Sequence, residues 1–136
     1  MPGKEDSLNR NASRRNILVV DDDAALRNTL IEALEGEGYR TTSASNGLEA
    51  LERLRGEKTP PAVILLDMMM PVMDGWAFRD EQQRDPQLAE IPVVVFSAQG
   101  NVKEMASEVS ASAYLKKPVT LKELLAILGK FCGHQV

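Results

Sequence analysis

The chain contains one cysteine, Cys132, so no internal disulfide can form and nothing in its cysteine usage marks an oxidising compartment. The thiol needs no role beyond packing near the C-terminus. No apolar run approaches the ~18 residues required to span a bilayer, and the opening residues Met1 to Ser7 lack the apolar region of a secretion signal. A cytoplasmic protein without a membrane partner is expected. An excess of positive charge is missing as well. The net charge is -4, with both signs spread along the chain, which disfavours nucleic acid or an anionic membrane as the main partner and favours a cation. At 136 residues there is room for one domain with one core, and not for two.

What is present is organised around the run Ala62-Val63-Ile64-Leu65-Leu66. It is bounded by Pro60-Pro61 on one side and by a loop containing Pro71 and Gly75 on the other. So short an apolar run suits a strand buried on both faces, as in parallel sheets. It delivers Asp67 to its end. The carboxyl ends of strands in open α/β sheets are where ligands bind, although an aspartate there can also simply start a turn.

The remaining segments repeat this logic. Residues 1–15 are polar and lack apolar periodicity, and read as a disordered leader in which Arg14-Arg15 is a solvated flank. Asn16 to Val20 forms a strand that ends in Asp21-Asp22-Asp23. Leu26, Leu30 and Leu34 then describe an amphipathic helix stopped by Gly36 and Gly38. Tyr39 to Ala44 reads as a short strand, and Asn46 caps a helix with Leu48, Leu51 and Leu54 on one face. Gly75 to Arg84 is expected to be helical, although Trp76 and Phe78 give it only a thin apolar side. Ile91 to Phe96 is another buried strand, followed by Ser97-Ala98-Gln99-Gly100. Val102, Met105, Ala106 and Val109 make a brief helical stripe, and Tyr114-Leu115 is a last short strand closed by Lys116-Lys117-Pro118. Thr120 caps a final helix with Leu121, Leu124, Leu125, Leu128 and Phe131 facing inward. Residues 133–136 form a tail in which His134 is exposed.

Five strand-then-helix units imply a doubly wound α/β fold, a parallel sheet with helices on both faces in three layers. Such a sheet gathers Asp21, Asp22, Asp67, Ser97 and Lys117 at one edge. Each alone could be a helix cap or a solvated charge; their convergence points to a site. Three adjacent carboxylates repel, and a hard divalent cation such as Mg²⁺ relieves them without protonation. A phosphoryl group can then approach Asp67 as nucleophile, with a lysine and a hydroxyl taking the remaining charge, to give an aspartyl phosphate.

From about Asn16 to Phe131 these residues resemble the receiver domains of two-component response regulators. The resemblance implies a receiver unit over residues 16–132 with a CheY-like, flavodoxin-like sheet of order 2-1-3-4-5 and five helices. It implies Asp67 as phosphoacceptor, Asp22 as a direct ligand of Mg²⁺ or Mn²⁺, Asp21 as an acid acting through water, and the Met69 backbone carbonyl as a further ligand. Ser97 fills the hydroxyl position, Lys117 the lysine position and Tyr114 the aromatic switch position. Met69 and Gln99 flank the path of attacking water. A signalling regulator is implied rather than an enzyme, with only intrinsic autophosphorylation and autodephosphorylation. Its partners would be a sensor histidine kinase or histidine phosphotransfer protein and a downstream protein target.

Some positions depart from that pattern. Arg79 and Gln82 stand where the family usually has apolar residues, which leaves the docking of the third helix open. Ala113 replaces a frequent glycine, and the stretch from Ser97 to Lys117 is about two residues short, so a short or irregular fourth helix is expected. Three alternatives share part of this pattern. A haloacid-dehalogenase-like phosphatase could use Asp21 and Asp23 but lacks the expected following residues and late acids. A flavodoxin-like cofactor carrier would place three aspartates against a phosphate. A receiver-like interaction module would take no phosphate. Because the chain ends a few residues after its fifth helix, a stand-alone receiver is expected in preference to a piece of a longer regulator or hybrid kinase.

Overall fold

The computed structural model describes residues 15–132. Five parallel strands, β1 (Asn16–Val20), β2 (Arg40–Ala44), β3 (Val63–Asp67), β4 (Val93–Ser97) and β5 (Ala113–Lys116), lie in the order β2-β1-β3-β4-β5. They alternate with the helices α1 (Ala24–Gly36), α2 (Gly47–Gly56), α3 (Gly75–Arg84), α4 (Val102–Glu108) and α5 (Leu121–Cys132). The CheY-like flavodoxin fold read from the sequence is the fold observed. None of these helices is long and apolar enough to cross a membrane.

Strand alternation sorts the core into two layers. Ile17, Val19, Val63 and Leu65 pack with Leu30 and Leu34 of α1 and with Leu124, Leu128 and Cys132 of α5. Leu18, Val20, Ile64 and Leu66 turn to the other face and meet Ala50, Leu51 and Leu54 of α2, Phe78 of α3 and Met105 of α4. The central strands are therefore apolar on both sides, which is why their sequences run without alternation. Cys132 is buried at the end of α5, and burial pushes its thiol up to about 11.

Two helix starts follow the expected caps, Asn46 accepting from the Glu49 N–H at 2.9 Å and Thr120 from the Glu123 N–H at 3.1 Å. Asp74 caps α3 in the same way, accepting from the Ala77 N–H at 2.9 Å. Two leucines expected to face inward do not. Leu48 is 44% and Leu121 41% exposed. The buried face of α2 is Gly47, Ala50, Leu51 and Leu54 and that of α5 is centred on Leu124, Leu128 and Cys132, so both leucines sit in a first turn at the margin of the stripe. β4 begins at Val93 rather than Ile91, because the Ile91 N–H turns back to the Leu88 carbonyl at 3.1 Å and Pro92 has no N–H to donate. β2 begins at Arg40, since the Tyr39 N–H is still bonded to Leu34 at the end of α1.

The thin apolar side of α3 has a physical answer. Gln82, 0% exposed, and Arg79, nearly as buried, take core positions there with their polar atoms bonded. Arg15 is likewise no loose flank. It donates to the Gly38 and Glu37 carbonyls at 3.1 and 3.0 Å and lies 4.5 Å over the Tyr39 ring. The rest of the leader, including Arg14, and the tail with His134 lie outside the described residues.

The connection from β3 to α3 is drawn tight against the sheet edge. The Met73 N–H donates to the Pro71 carbonyl at 2.7 Å around Val72, whose φ of +69° is unusual for a β-branched residue. The Gly75 N–H donates to the Met68 carbonyl at 2.9 Å. A Cβ on Gly75 would press on Met68 Sδ, stand 2.8 Å from Met68 Cα and 3.2 Å from the Asp67 carbonyl oxygen. Only glycine lets the start of α3 close on the end of β3. Gly75→Ala should cost about 1–3 kcal/mol by forced displacement of this loop. Urea denaturation checks it; a change within experimental scatter would mean that the loop yields freely.

Candidate phosphoacceptor site

Three strand ends and one strand-to-helix turn build the site. β1 runs directly into Asp21, which is fully buried. Its N–H donates to the Ala44 carbonyl at 3.1 Å, so pairing with β2 fixes its position. Asp21 Oδ1 accepts from the Asp23 N–H at 2.9 Å and Oδ2 from Lys117 Nζ at 2.8 Å. The three consecutive aspartates then divide their tasks. Asp21 is turned inward, Asp22 is exposed, and Asp23 caps α1 by accepting from the Leu26 N–H at 3.1 Å.

Asp67 ends β3 and is 5% exposed. Its Oδ2 stands 3.6 Å from Lys117 Nζ, and its Oδ1 receives a long bond of 3.4 Å from the Met69 N–H. One carboxylate oxygen each from Asp21, Asp22 and Asp67 lies within 4.8 Å of the others. That spacing and oxygen-only chemistry suit a hard divalent cation. Burial holds the Asp67 carboxyl up at about 6, against the opposing pull of Lys117, and the charges of Asp21 and Asp22 push in the same direction as burial. The Lys117 ammonium thus only partly offsets burial and the two neighbouring carboxylates.

Lys117 reaches the cluster from beyond β5. Its N–H donates to the Ser97 carbonyl at 2.9 Å, and its ammonium also lies 4.7 Å from the Phe96 ring centroid. Ser97 ends β4, is buried, and accepts through Oγ from the Gln99 N–H at 3.2 Å. Gln99 and Met69 are exposed at the rim. Tyr114 lies on β5 opposite Val95 and is 43% exposed. Asp21, Asp22, Asp67 and Lys117 are thus brought together, Ser97 stands on the adjoining strand end, and Tyr114 is set back along the edge strand.

Sequence reading missed two supporting residues. Arg27 donates from Nη1 to the Asp21 carbonyl at 2.7 Å, and Phe96 supplies the ring beside Lys117. Neither belongs to the acidic pattern; only their spacing from Asp23 and Ser97 hints at them. A hollow of about 490 Å³ lined by Asn16, Arg40 and Lys58 among others opens at the amino ends of β1 and β2, away from the carboxylates.

Comparison with known proteins gives the same picture. The response regulator receiver domain matches residues 17–129. The chain belongs to that family. It is 38% identical over 112 residues to the response regulator MprA of Mycobacterium ulcerans, covering 81% of this receiver and 47% of that protein. It is 37% identical over 115 residues to the probable transcriptional regulator ycf27 of Porphyra purpurea, covering 83% and 45%. This receiver spans about half the length of the curated relatives it matches. A putative response regulator from Chloroflexus aurantiacus superposes with a TM-score of 0.80 at 28% identity, covering 88% of this receiver and 98% of that chain. The receiver domain of sensor histidine kinase PA1611 from Pseudomonas aeruginosa, described with a magnesium ion coordinated in its active-site cleft, gives 0.78 at 27%, covering 88% and 98%. Asp23, the second acid of the phosphatase alternative, serves here as the cap of α1.

The raised Asp67 carboxyl has a consequence for stability. Its folded value exceeds the ordinary 3.8, so its contribution is full below about pH 4 and is lost as pH rises through about 6. In metal-free protein, the melting temperature of wild type relative to Asp67→Asn should therefore fall across that window. Excess Mg²⁺ should recover more of the loss above pH 6 than at the acid end. A wild-type minus variant difference that is flat with pH would show that Asp67 is not held up by burial.

Proposed function

We propose that the chain carries a receiver unit over residues 16–132 that accepts a phosphoryl group on Asp67 from a sensor histidine kinase or histidine phosphotransfer protein. The observation that carries this reading is Lys117 Nζ lying between Asp21 and Asp67, at 2.8 and 3.6 Å, in a cluster of three carboxylates. Mg²⁺ or Mn²⁺ bound by Asp22, Asp67 and the Met69 carbonyl, with Asp21 acting through water, would neutralise the carboxylates and draw phosphate oxygens toward Asp67. An Asp67 oxygen forms the new bond to phosphorus while the bond to the donor histidine nitrogen breaks, and the imidazole keeps the electron pair. Lys117 then has a new anionic partner, and the Ser97 hydroxyl can donate to a phosphoryl oxygen. Tyr114, half exposed on the neighbouring strand, would move inward as Ser97 turns toward the site. We assign the unit a downstream protein target, a cytoplasmic setting and, on its acidic charge, no direct nucleic-acid surface.

Intact mass should rise by one phosphoryl group on incubation with a small acyl phosphate and Mg²⁺. Asp67→Asn or EDTA should abolish the gain. Equal labelling of the variant would remove Asp67 from the reaction.

Turnover should be slow, because exposed Met69 and Gln99 bring neither acid nor base to the water that hydrolyses the acyl phosphate. Met69→Asn or Gln99→Glu should speed loss of the phosphoryl group by roughly tenfold or more by orienting that water. Unchanged decay in both variants would place control of access elsewhere.

A further inference from the structure

Helix α4 is held very differently at its two ends. At its C-terminal end α3 grips it twice. The Trp76 indole Nε1–H donates to Glu108 Oε1 at 3.0 Å. One turn further along α3, Arg79 donates from Nε to the Val109 carbonyl at 2.8 Å and from Nη2 to the Ser110 carbonyl at 3.0 Å. Its remaining branch donates from Nη1 to Gln82 Oε1 at 2.9 Å, and the Gln82 amide donates to the Leu88 and Ile91 carbonyls at 2.9 and 3.0 Å. Arg79 therefore ties three segments together: α3, the connection into β4, and the exit from α4. A buried guanidinium is tolerable only while its donors are bonded, and the carbonyls at the end of a helix carry partial negative charge that suits it. Displacing Val109 and Ser110 would strand a buried cation. The chain there is also fixed locally, with Ser110 at a φ of +54° and the Ala111 N–H donating to the Ala106 carbonyl at 2.9 Å.

The other end of α4 has no such polar fastening and is held only by the apolar packing of Val102 and Met105. Asn101 precedes the helix without a side-chain capping bond, and residues 98–101 are all exposed. This loose end adjoins the candidate site, since the Gln99 N–H is bonded to Ser97 Oγ. Motion started at Ser97 meets little resistance in residues 98–101 and strong resistance at Val109.

We propose that Arg79 is a hinge pin: it clamps Val109 and Ser110 to α3, so that a change at Ser97 swings residues 98–105 about a fixed C-terminal end of α4. The driver of that swing rests on the phosphoacceptor reading; the pin does not. Signal would then emerge at the start of α4 and the loop before it, and not by sliding of the whole helix.

Amide hydrogen exchange on the full chain separates the two. In unliganded wild type, amides of residues 106–112 should exchange roughly tenfold or more slower than those of 100–105, and Arg79→Leu should remove most of that difference. Arg79→Lys keeps the charge but cannot span both carbonyls, so it should give an intermediate loss should the leucine variant fail to fold. Adding beryllofluoride with Mg²⁺ should alter exchange in 98–105 but not 106–112 of wild type, and should spread to 112 in the variant. Equal protection of the two ends in wild type, or unaltered exchange of 106–112 in both variants, would overturn the pin, as would a mimic response spread evenly over 98–112 in wild type. A wild type that keeps the protected end yet ignores the mimic would support the pin and count against the phosphoacceptor reading.

Discussion

The charge balance of the site depends on one ammonium. Lys117 stands 2.8 Å from Asp21 and 3.6 Å from Asp67, and a single positive charge between carboxylates of which two are buried cannot neutralise them all. The protein tolerates this because the sheet is rigid where the charges sit. Pairing of β1 with β2 and β3 and of β3 with β4 fixes the positions of Asp21 and Asp67. Lys117 is fixed in turn by its own N–H to Ser97 and by the Phe96 ring. The residual negative charge, held in place by packing that cannot relax, is what makes the edge receptive to a cation.

Much of this was legible in the sequence because it follows from short-range physics. Three apolar runs, leading into Asp21, Asp67 and Ser97, give the central strands, and two shorter stretches around Tyr39 to Ala44 and Tyr114-Leu115 give the edge strands. Caps such as Asn46 and Thr120 give helix starts, and a parallel sheet brings strand ends together whatever their separation along the chain. Less legible were the features that depend on three-dimensional register. Leu48 and Leu121 look inward-facing by spacing, but a first-turn residue at the stripe's margin reaches solvent. Arg27 and Phe96 act through a carbonyl and a ring, groups that leave no mark in an acidic motif.

The third helix shows the limit of hydrophobic pattern most clearly. Its composition suggests poor burial, yet Gln82 is wholly buried and Arg79 nearly so. Their side chains donate to backbone carbonyls presented by the turns at 85–91 and 109–110. A pattern of apolar residues cannot report this, because what is being matched is a set of acceptors contributed by segments far apart in sequence. Such a network trades some hydrophobic burial for direction, since its bonds specify where neighbouring loops must lie.

The inertness of Cys132 has a practical side. The reactive form of a cysteine is its thiolate, and this thiol is sealed beneath α5 and held up to about 11. The native sequence is therefore already a silent background for thiol chemistry. A cysteine introduced on the surface of α4 would be modified selectively by a maleimide dye or spin label, without first removing the natural one.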